Sequence, residues 1–294
     1  MMVRSKSSRM VRTIVGWAVV ALFAFPLYYW MTVAFKEGNE IFNWPPKVWS
    51  FTPTIKNFEE VFGISFGFGF GEQREVLPGG GNFRMGPRLW DSIVIAILST
   101  ALAITIATLA SYALSRMNFR GRHHFVSWVL STRMMPPVAV AIPIFFIYKD
   151  IGLLDTYTGV ILIHALMNLP LAVLLMKSFF DDIPGEIDES ALVDGASRWL
   201  IFRRIVLPMV KGGIAATAVL CFIFSWTEFL FVLTLTQTGL KTVPVVSSTF
   251  VTSTGTAWGS MAALGAAAMI PAFIFILLVQ KHLVRGLTLG SVKQ

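Results

Sequence analysis

The chain has 294 residues, of which 55% are hydrophobic and only 14% are charged. Soluble domains carry about 25% charged residues and disordered chains carry few hydrophobic ones, so this composition excludes both classes and indicates a polytopic membrane protein. The net charge is +8, but no stretch of the sequence combines dense Lys and Arg with interleaved aromatics, which argues against nucleic-acid binding. A single cysteine excludes an internal disulfide framework.

Six apolar stretches predict membrane spans, because about 20 helical residues are needed to cross a bilayer core. In chain order they cover residues 13–35, 92–115, 125–148, 157–176, 212–238 and 258–280. Basic residues precede the first stretch, as in a signal peptide, but the stretch is long enough to span and no small-x-small cleavage site follows it. We therefore expect a retained first helix and an all-α, polytopic membrane fold.

Lys and Arg residues are unevenly distributed among the connections. The N-terminus, the second and fourth connections and the C-terminal tail carry most of them, so the positive-inside rule predicts that both termini are cytoplasmic. The predicted order is a cytoplasmic N-terminus over residues 1–12, the first helix over 13–35, a periplasmic loop over 36–88, a membrane core over 89–284 and a cytoplasmic tail over 285–294. The glycine-rich part of the loop is interpreted as a flexible insertion, with a surface for an external partner as the alternative.

The fourth connection, over residues 181–208, carries the clearest functional pattern. Ile187, Ala191 and Gly195 recur every four residues, which places them on one face of a helix, and their small side chains would allow another surface to approach closely. A second turn or short helix is predicted before Pro208. The segment therefore predicts a helical hairpin that docks into a groove of a cytoplasmic protein. The alternative is a helix on lipid headgroups, which its acidic residues disfavour.

Within this connection, Glu189-Ser190-Ala191 is followed after three residues by Gly195, and after nine more by Ile205-Val206-Leu207-Pro208. This pattern resembles the EAA loop of ATP-binding-cassette importer permeases, which reads Glu-Ala-Ala, three residues, Gly, nine residues and Ile-x-Leu-Pro. Only Ser190 departs from it, as one small residue in place of another. Asp194-Gly195-Ala196-Ser197 and Ser225-Trp226-Thr227-Glu228-Phe229 are similar to carbohydrate-type permeases, the group that includes the shorter membrane subunit of maltose transporters.

The resemblance implies the type I importer transmembrane fold, with six membrane helices and a coupling hairpin between spans four and five, in a bacterial inner membrane. It implies a second permease subunit, two ATPase subunits, a periplasmic solute-binding protein and a carbohydrate substrate as partners. ATP and Mg²⁺ would bind to the ATPase subunits, so we expect no cofactor, no metal and no enzymatic activity on this chain.

The resemblance also implies roles for individual residues. Those expected to couple to an ATPase subunit are Glu189, Ser190, Ala191, Asp194, Gly195, Ile205, Leu207 and Pro208. The carboxylate of Glu189 would make a polar contact, and Gly195 would permit close approach. The residues expected to contact the binding protein are Thr252, Ser253, Thr254 and Gly255. Without the resemblance, this loop would be interpreted only as a connection between two helices.

Polar side chains inside the predicted spans are candidates for the translocation path, because ionisable groups are costly in a bilayer. They are Arg133, His164, Asn168, Trp226 and Glu228. Arg133 and Glu228 could pair with each other across the path. Alternatively, Arg133 could cap carbonyls freed by the prolines that follow it, or snorkel to an interface. His164 and Asn168 could equally be hydrogen-bonded packing residues.

Other function classes remain open at this point. An ion-coupled secondary transporter would need inverted repeats and midplane carboxylates, and the spans offer one acid, Glu228. A polytopic enzyme is disfavoured, because the sequence has no Gly-x-x-x-x-Gly-Lys-Ser/Thr phosphate loop, no Gly-x-Ser-x-Gly elbow and no metal-ligand spacing. A pure scaffold would leave Arg133 and Glu228 unexplained.

Overall fold

The computed structural model describes residues 6–63, 85–237, 239–252 and 255–289, which fold into helices and a short two-stranded sheet. Two compact units are formed, one by Met1–Gly86 with Ser247–Ala268 and the other by Pro87–Val246 with Met269–Gln294. The helices and strands are α1 (Lys6–Ala34), α2 (Gly38–Ile41), α3 (Lys56–Phe62), α4 (Met85–Arg116), α5 (Arg122–Arg133), α6 (Pro137–Asp150), α7 (Tyr157–Asp181), α8 (Glu186–Val193), α9 (Arg198–Ile201), a π-helix (Phe202–Val206), α10 (Leu207–Met209), α11 (Lys211–Trp226), α12 (Leu230–Leu235), α13 (Val243–Ser247), a 3-10 turn (Ser248–Phe250), β1 (Val251–Thr252), β2 (Gly255–Thr256) and α14 (Trp258–Leu289).

Four helical stretches of the described chain are long and apolar enough to cross a membrane unbroken. They are Met10–Ala34, Met85–Arg116, Tyr157–Asp181 and Trp258–Gln280. These correspond to the first, second, fourth and sixth spans predicted from the sequence. Two bent helix pairs raise the number of candidate spans to as many as six.

The third predicted span is bent rather than straight. α5 ends at Arg133 and α6 begins at Pro137, and the two helices meet at an angle of 95°. Pro136 and Pro137 cause the break, because proline lacks an N–H and drives the residue before it into an extended conformation. Pro136 itself is extended, with φ −63° and ψ 125°.

The fifth predicted span, over residues 212–238, is also interrupted in the structure. α11 ends at Trp226, and the short helix α12 begins only at Leu230. The pair that forms a candidate span instead joins Arg198–Met209 to α11, across a bend of 73°. Glu228 lies in the break beyond Trp226, and its contacts are described below.

In the first unit, the short helix α3 is hydrogen-bonded to both α1 and α14. The side-chain amide of Asn57 donates to the carbonyls of Ala34 and Lys36, at 3.0 and 2.9 Å, at the end of α1. The hydroxyl of Ser260, in the first turn of α14, donates to Glu60 at 2.7 Å. α3 therefore holds the end of α1 and the start of α14 together.

The second unit is built around α7. Its buried residues are Gly159, Val160, Ile163, His164, Ala165, Asn168, Ala172, Val173, Met176 and Phe180, spaced by one to four residues along the helix. α11 packs closely against α7 because Gly213 has no side chain: a Cβ there would lie within 3.0 Å of Phe179. Small residues at helix crossings allow such close packing in membrane proteins.

Candidate functional site

The segment between α7 and α11 folds into a helical hairpin, residues 186–209, which we call the hairpin. At its tip, the N–H of Ala196 donates to the carbonyl of Ala191 and the N–H of Gly195 donates to the carbonyl of Leu192, both at 3.0 Å. This is the Schellman pattern, which ends a helix at a left-handed residue. Gly195 has a φ of +83°, which L-amino acids with a side chain adopt at a cost. The turn itself therefore requires this glycine.

The second arm of the hairpin starts at a capping serine and contains a π-helix. The Oγ of Ser197 accepts a hydrogen bond from the N–H of Leu200 at 3.3 Å, as N-cap serines do. Pro208 has no N–H and its ring clashes with the carbonyl four residues earlier, so regular α-helical bonding cannot continue past it. The five residues Phe202–Val206 widen into a π-helix at this point.

The motif residues of the second arm lie in different environments. Ile205 and Leu207 are half-buried against the core of the second unit, whereas Pro208 is exposed. The packing of Ile205 and Leu207 indicates that they hold the second arm of the hairpin against its own unit. Whether they also contact an ATPase stays a prediction.

The two faces of α8 differ in exposure. Ala191 is only 8% exposed and packs in the core with Phe202, so the expectation that this side chain offers an open face to a partner is corrected. Ala191 packs inward because the hairpin buries one face of α8 on its own unit. Glu189, Ser190 and Asp194 are exposed. A partner can therefore reach an acidic face of α8, which ends in Val193 at 88% exposure.

Asp188 is a functional candidate that the sequence analysis missed. The hydroxyl of Tyr112 donates to its Oδ1 at 3.1 Å, and Nε of Arg116 lies 2.9 Å from its Oδ2. Asp188 is 9% exposed, whereas Glu186 and Glu189 on the same helix are exposed. The sequence carried one signal for this: Asp188 lies three residues before Ala191, on the same side of α8.

A buried polar cluster lies within the predicted spans. The amide of Asn168 donates to the carbonyl of Cys221 at 3.2 Å and to Oγ of Ser225 at 2.9 Å. Oγ of Ser225 also lies 2.9 Å from Oγ of Ser99. His164 is 2% exposed, and its Nε2 lies 3.3 Å from a carboxylate oxygen of Glu228. The structure thus brings together two of the predicted path residues by direct contact and sets Asn168 in a network with α4 and α11.

The remaining path candidates lie apart from this cluster. Arg133 is exposed at the end of α5, with its guanidinium 5.8 Å from the ring centre of Phe224. Among the residues that the structure describes, Glu228 contacts His164 and not Arg133, so the suggested pairing of Arg133 with Glu228 is corrected. Trp226 is half-buried and stacks on Phe222, with ring centres 5.5 Å apart.

The loop expected to reach a binding protein belongs to the first unit. Thr252 ends β1 and pairs with Gly255 of β2 in an antiparallel hairpin. Ser253 and Thr254, the other two candidates, lie outside the described residues. The loop is therefore held at its base by two short strands, and its contact with a binding protein stays a prediction.

A family model described as "Binding-protein-dependent transport system inner membrane component" matches residues 100–289. Over the full length of both chains, the sequence is 34% identical to the probable ABC transporter permease protein y4oR of Sinorhizobium fredii. It is 36% identical to the trehalose transport system permease protein SugB of Mycobacterium tuberculosis, over 70% of this chain and 76% of that one.

Solved structures show the same fold. A chain of a bacterial ABC transporter involved in the import of the acidic polysaccharide alginate superposes with a TM-score of 0.70 at 19% identity. The match covers 96% of the present chain and 99% of the other. At this identity the likeness concerns the fold, which is that of an ABC importer transmembrane subunit.

Proposed function

The chain belongs to the family of binding-protein-dependent transport system inner membrane components, and we propose that it is the permease subunit of an ATP-driven carbohydrate importer. In this proposal it forms half of the translocation path, with a second permease subunit forming the other half. A periplasmic binding protein delivers the sugar, and two separate ATPase subunits hydrolyse ATP. Both termini and the hairpin face the cytoplasm.

The observation that carries the coupling role is the exposed hairpin. Glu189 in α8 and Asp194 at its C-cap present exposed carboxylates, and Val193 places an apolar side chain at the tip. An exposed apolar side chain beside fixed charges favours a protein partner over lipid, because anionic headgroups would repel the acids. In the proposal, closure of the ATPases moves the hairpin, and the membrane helices follow as rigid bodies.

The carbohydrate substrate class rests on sequence likeness. A relative with 36% identity is a trehalose transport system permease protein, and the segment Ser225–Phe229 matches carbohydrate-type permeases. Within that segment the structure buries Ser225 in the polar cluster and pairs Glu228 with His164. We therefore propose that this segment supports the path structurally, and that the sugar is selected chiefly by the binding protein.

The first experiment is a mild-detergent pull-down of the tagged chain from its native membrane, followed by mass spectrometry. We expect to recover an ATPase and a second permease. A sugar-binding protein should also be recovered once it has been added. A Glu189→Gln variant should lose the ATPase while keeping the second permease, because the neutral amide cannot replace a carboxylate in a charge-assisted contact. Asp182→Asn, an exposed acid just before the hairpin, is the matched control.

Two results would contradict this assignment. Recovery of the chain alone, together with sugar uptake into vesicles without ATP, would favour an ion-coupled carrier. If the Glu189→Gln variant retained the ATPase fully, this carboxylate would not contribute to the interface. Uptake assays with labelled trehalose then test the substrate class directly.

A further inference from the structure

We propose that Asp188 is a positioning residue that fixes α8 to the end of α4, so that a displacement of the hairpin is passed directly to α4. The inference rests on the proposed coupling role of the hairpin and adds a membrane helix, not covalently joined to the hairpin, that receives its motion. It also separates two adjacent acids: Glu189 faces outward toward a partner, and Asp188 faces inward toward the chain's own helix.

Both oxygens of the Asp188 carboxylate are engaged by the last turns of α4. Tyr112 donates to one oxygen at 3.1 Å, and Nε of Arg116 lies 2.9 Å from the other. Tyr112 and Arg116 are four residues apart, so they project from the same face of α4. Nη2 of Arg116 also donates to the carbonyl of Ile183 at 2.8 Å, in the segment that enters the hairpin. Arg116 therefore holds α8 and its incoming chain at once.

The contact of Asp188 with Tyr112 and Arg116, which we call the joint, is stiffened by burial. The side chains of Asp188 and Arg116 are 12% and 11% exposed. Separating the two would leave an unpaired charge away from water, which is costly, whereas an exposed pair can separate and be solvated. The ring of Tyr112 contacts Phe180 and Phe202, with centres 5.7 and 4.8 Å apart. Aromatic rings from α7 and from the π-helix of the hairpin therefore pack against Tyr112.

α4 leads from this joint to the buried polar cluster. It has 32 residues, a length of about 48 Å at 1.5 Å per residue. Near its middle, Oγ of Ser99 lies 2.9 Å from Oγ of Ser225 on α11, and Ser225 also binds Asn168 on α7. A rigid helix fixed at one end to the hairpin and hydrogen-bonded at its middle can carry a displacement between the two places.

The test uses the intact complex with its ATPases in lipid nanodiscs, and Mg-ATP and the purified binding protein as probes. The readout is the ratio of ATP hydrolysis with the binding protein to hydrolysis without it. This ratio reports transmission through the permease and does not depend on how much folded complex is present. In Asp188→Asn we expect the ratio to fall toward 1, the value of a complex in which the binding protein no longer stimulates ATP hydrolysis. Asp182→Asn, the same change at an exposed acid, should keep the wild-type ratio.

A charge exchange strengthens the test. Asp188→Arg combined with Arg116→Asp should recover part of the ratio, and neither single change should. A wild-type ratio in Asp188→Asn would overturn the proposal. If that variant fails to assemble, Tyr112→Phe decides instead, because it removes one hydroxyl only: a reduced ratio supports the joint, and a wild-type ratio overturns it.

Failure of the proposed function gives a different result. In that case the wild-type chain itself would not assemble with ATPases, or Glu189→Gln would leave both assembly and the ratio unchanged. Failure of the joint alone leaves the wild-type complex assembled and stimulated, with Asp188→Asn behaving in the same way.

Discussion

The imidazole Nε2 of His164 lies 3.3 Å from a carboxylate oxygen of Glu228. The same carboxylate accepts the backbone N–H groups of Phe231 and Val232, at 2.9 and 3.2 Å. Glu228 therefore caps the start of α12 and is the partner of a buried histidine. Backbone groups at a helix break must be satisfied inside a bilayer, and this side chain satisfies two of them.

Replacing Glu228 by alanine should destabilise the second unit. The change leaves two backbone N–H groups and the imidazole of His164 without this partner, so we expect a loss of about 1–3 kcal/mol in the free energy of unfolding for each buried group left unsatisfied. Glu228→Gln retains an acceptor oxygen and should lose less. Thermal unfolding of the purified complex measures both variants. Thr105→Val, at an exposed hydroxyl on α4, is the control, and an equal melting temperature for Glu228→Ala and wild type would contradict the capping role.

The tip of the hairpin allows a matched comparison of two glycines. Gly195 has a φ of +83°, whereas Gly185, just before α8, has a φ of −65°. Neither has an atom within 4 Å of an added Cβ, so alanine tests the backbone conformation alone. Gly195→Ala should cost about 1–2 kcal/mol, the cost of a left-handed conformation, and should weaken retention of the ATPase in the pull-down. Gly185→Ala should be neutral for both, and equal behaviour of the two variants would show that the turn tolerates a side chain.

Gly213 provides a test of helix packing within the second unit. A Cβ at this position would lie within 3.0 Å of Phe179, so Gly213→Ala should destabilise the complex by about 1–3 kcal/mol through overpacking. Shortening the neighbour, as in Gly213→Ala with Phe179→Ala, should relieve the clash, although it loses the packing of the ring. The same Gly→Ala change at Gly16 in α1, where an added Cβ meets nothing within 4 Å, is the control. The comparison is read from melting temperatures, and additive effects of the two changes at 213 and 179 would argue against the contact.

The loop after α1 gives a pH-dependent prediction. The pKa of Glu40 is held below its ordinary value, chiefly by a hydrogen bond from Lys47 at 2.8 Å. Folding thus favours the ionised carboxylate, and this contribution to stability is present above the pKa of the unfolded chain, about 4.3, and is lost as the pH falls through the folded pKa. The melting temperature of Glu40→Gln should lie below that of wild type at pH 7. The two curves should converge in acid, and a constant gap between pH 3 and pH 7 would refute the role of the charge.

Spacing along the sequence was enough to predict the hairpin but not the place of its glycine. The four-residue recurrence put Gly195 on the helix face with Ala191, whereas α8 ends at Val193 and a left-handed Gly195 follows it. The four unbroken membrane helices were also predictable, because twenty apolar residues have few other stable forms. The paired prolines after Arg133 marked one break in the same way.

Other features depended on contacts between residues far apart in the sequence. Three acids lie within four positions of α8, and only the fold shows that Asp188 is buried on Tyr112 while Glu186 and Glu189 are exposed. At the break after Trp226, Glu228 caps the backbone of α12. A hydropathy pattern does not record either contact, since it treats each residue by its type alone.

The network of Ser99, Asn168 and Ser225 has a mechanical consequence for the three helices that carry these residues. Each hydroxyl or amide finds its partner only in the present rotation of α4, α7 and α11 about their own axes. Turning any of these helices by one residue, about 100°, would break these bonds between helices, although Ser99 would keep a partner on its own helix, the carbonyl of Ala96. The network therefore opposes separate rolling of the three helices.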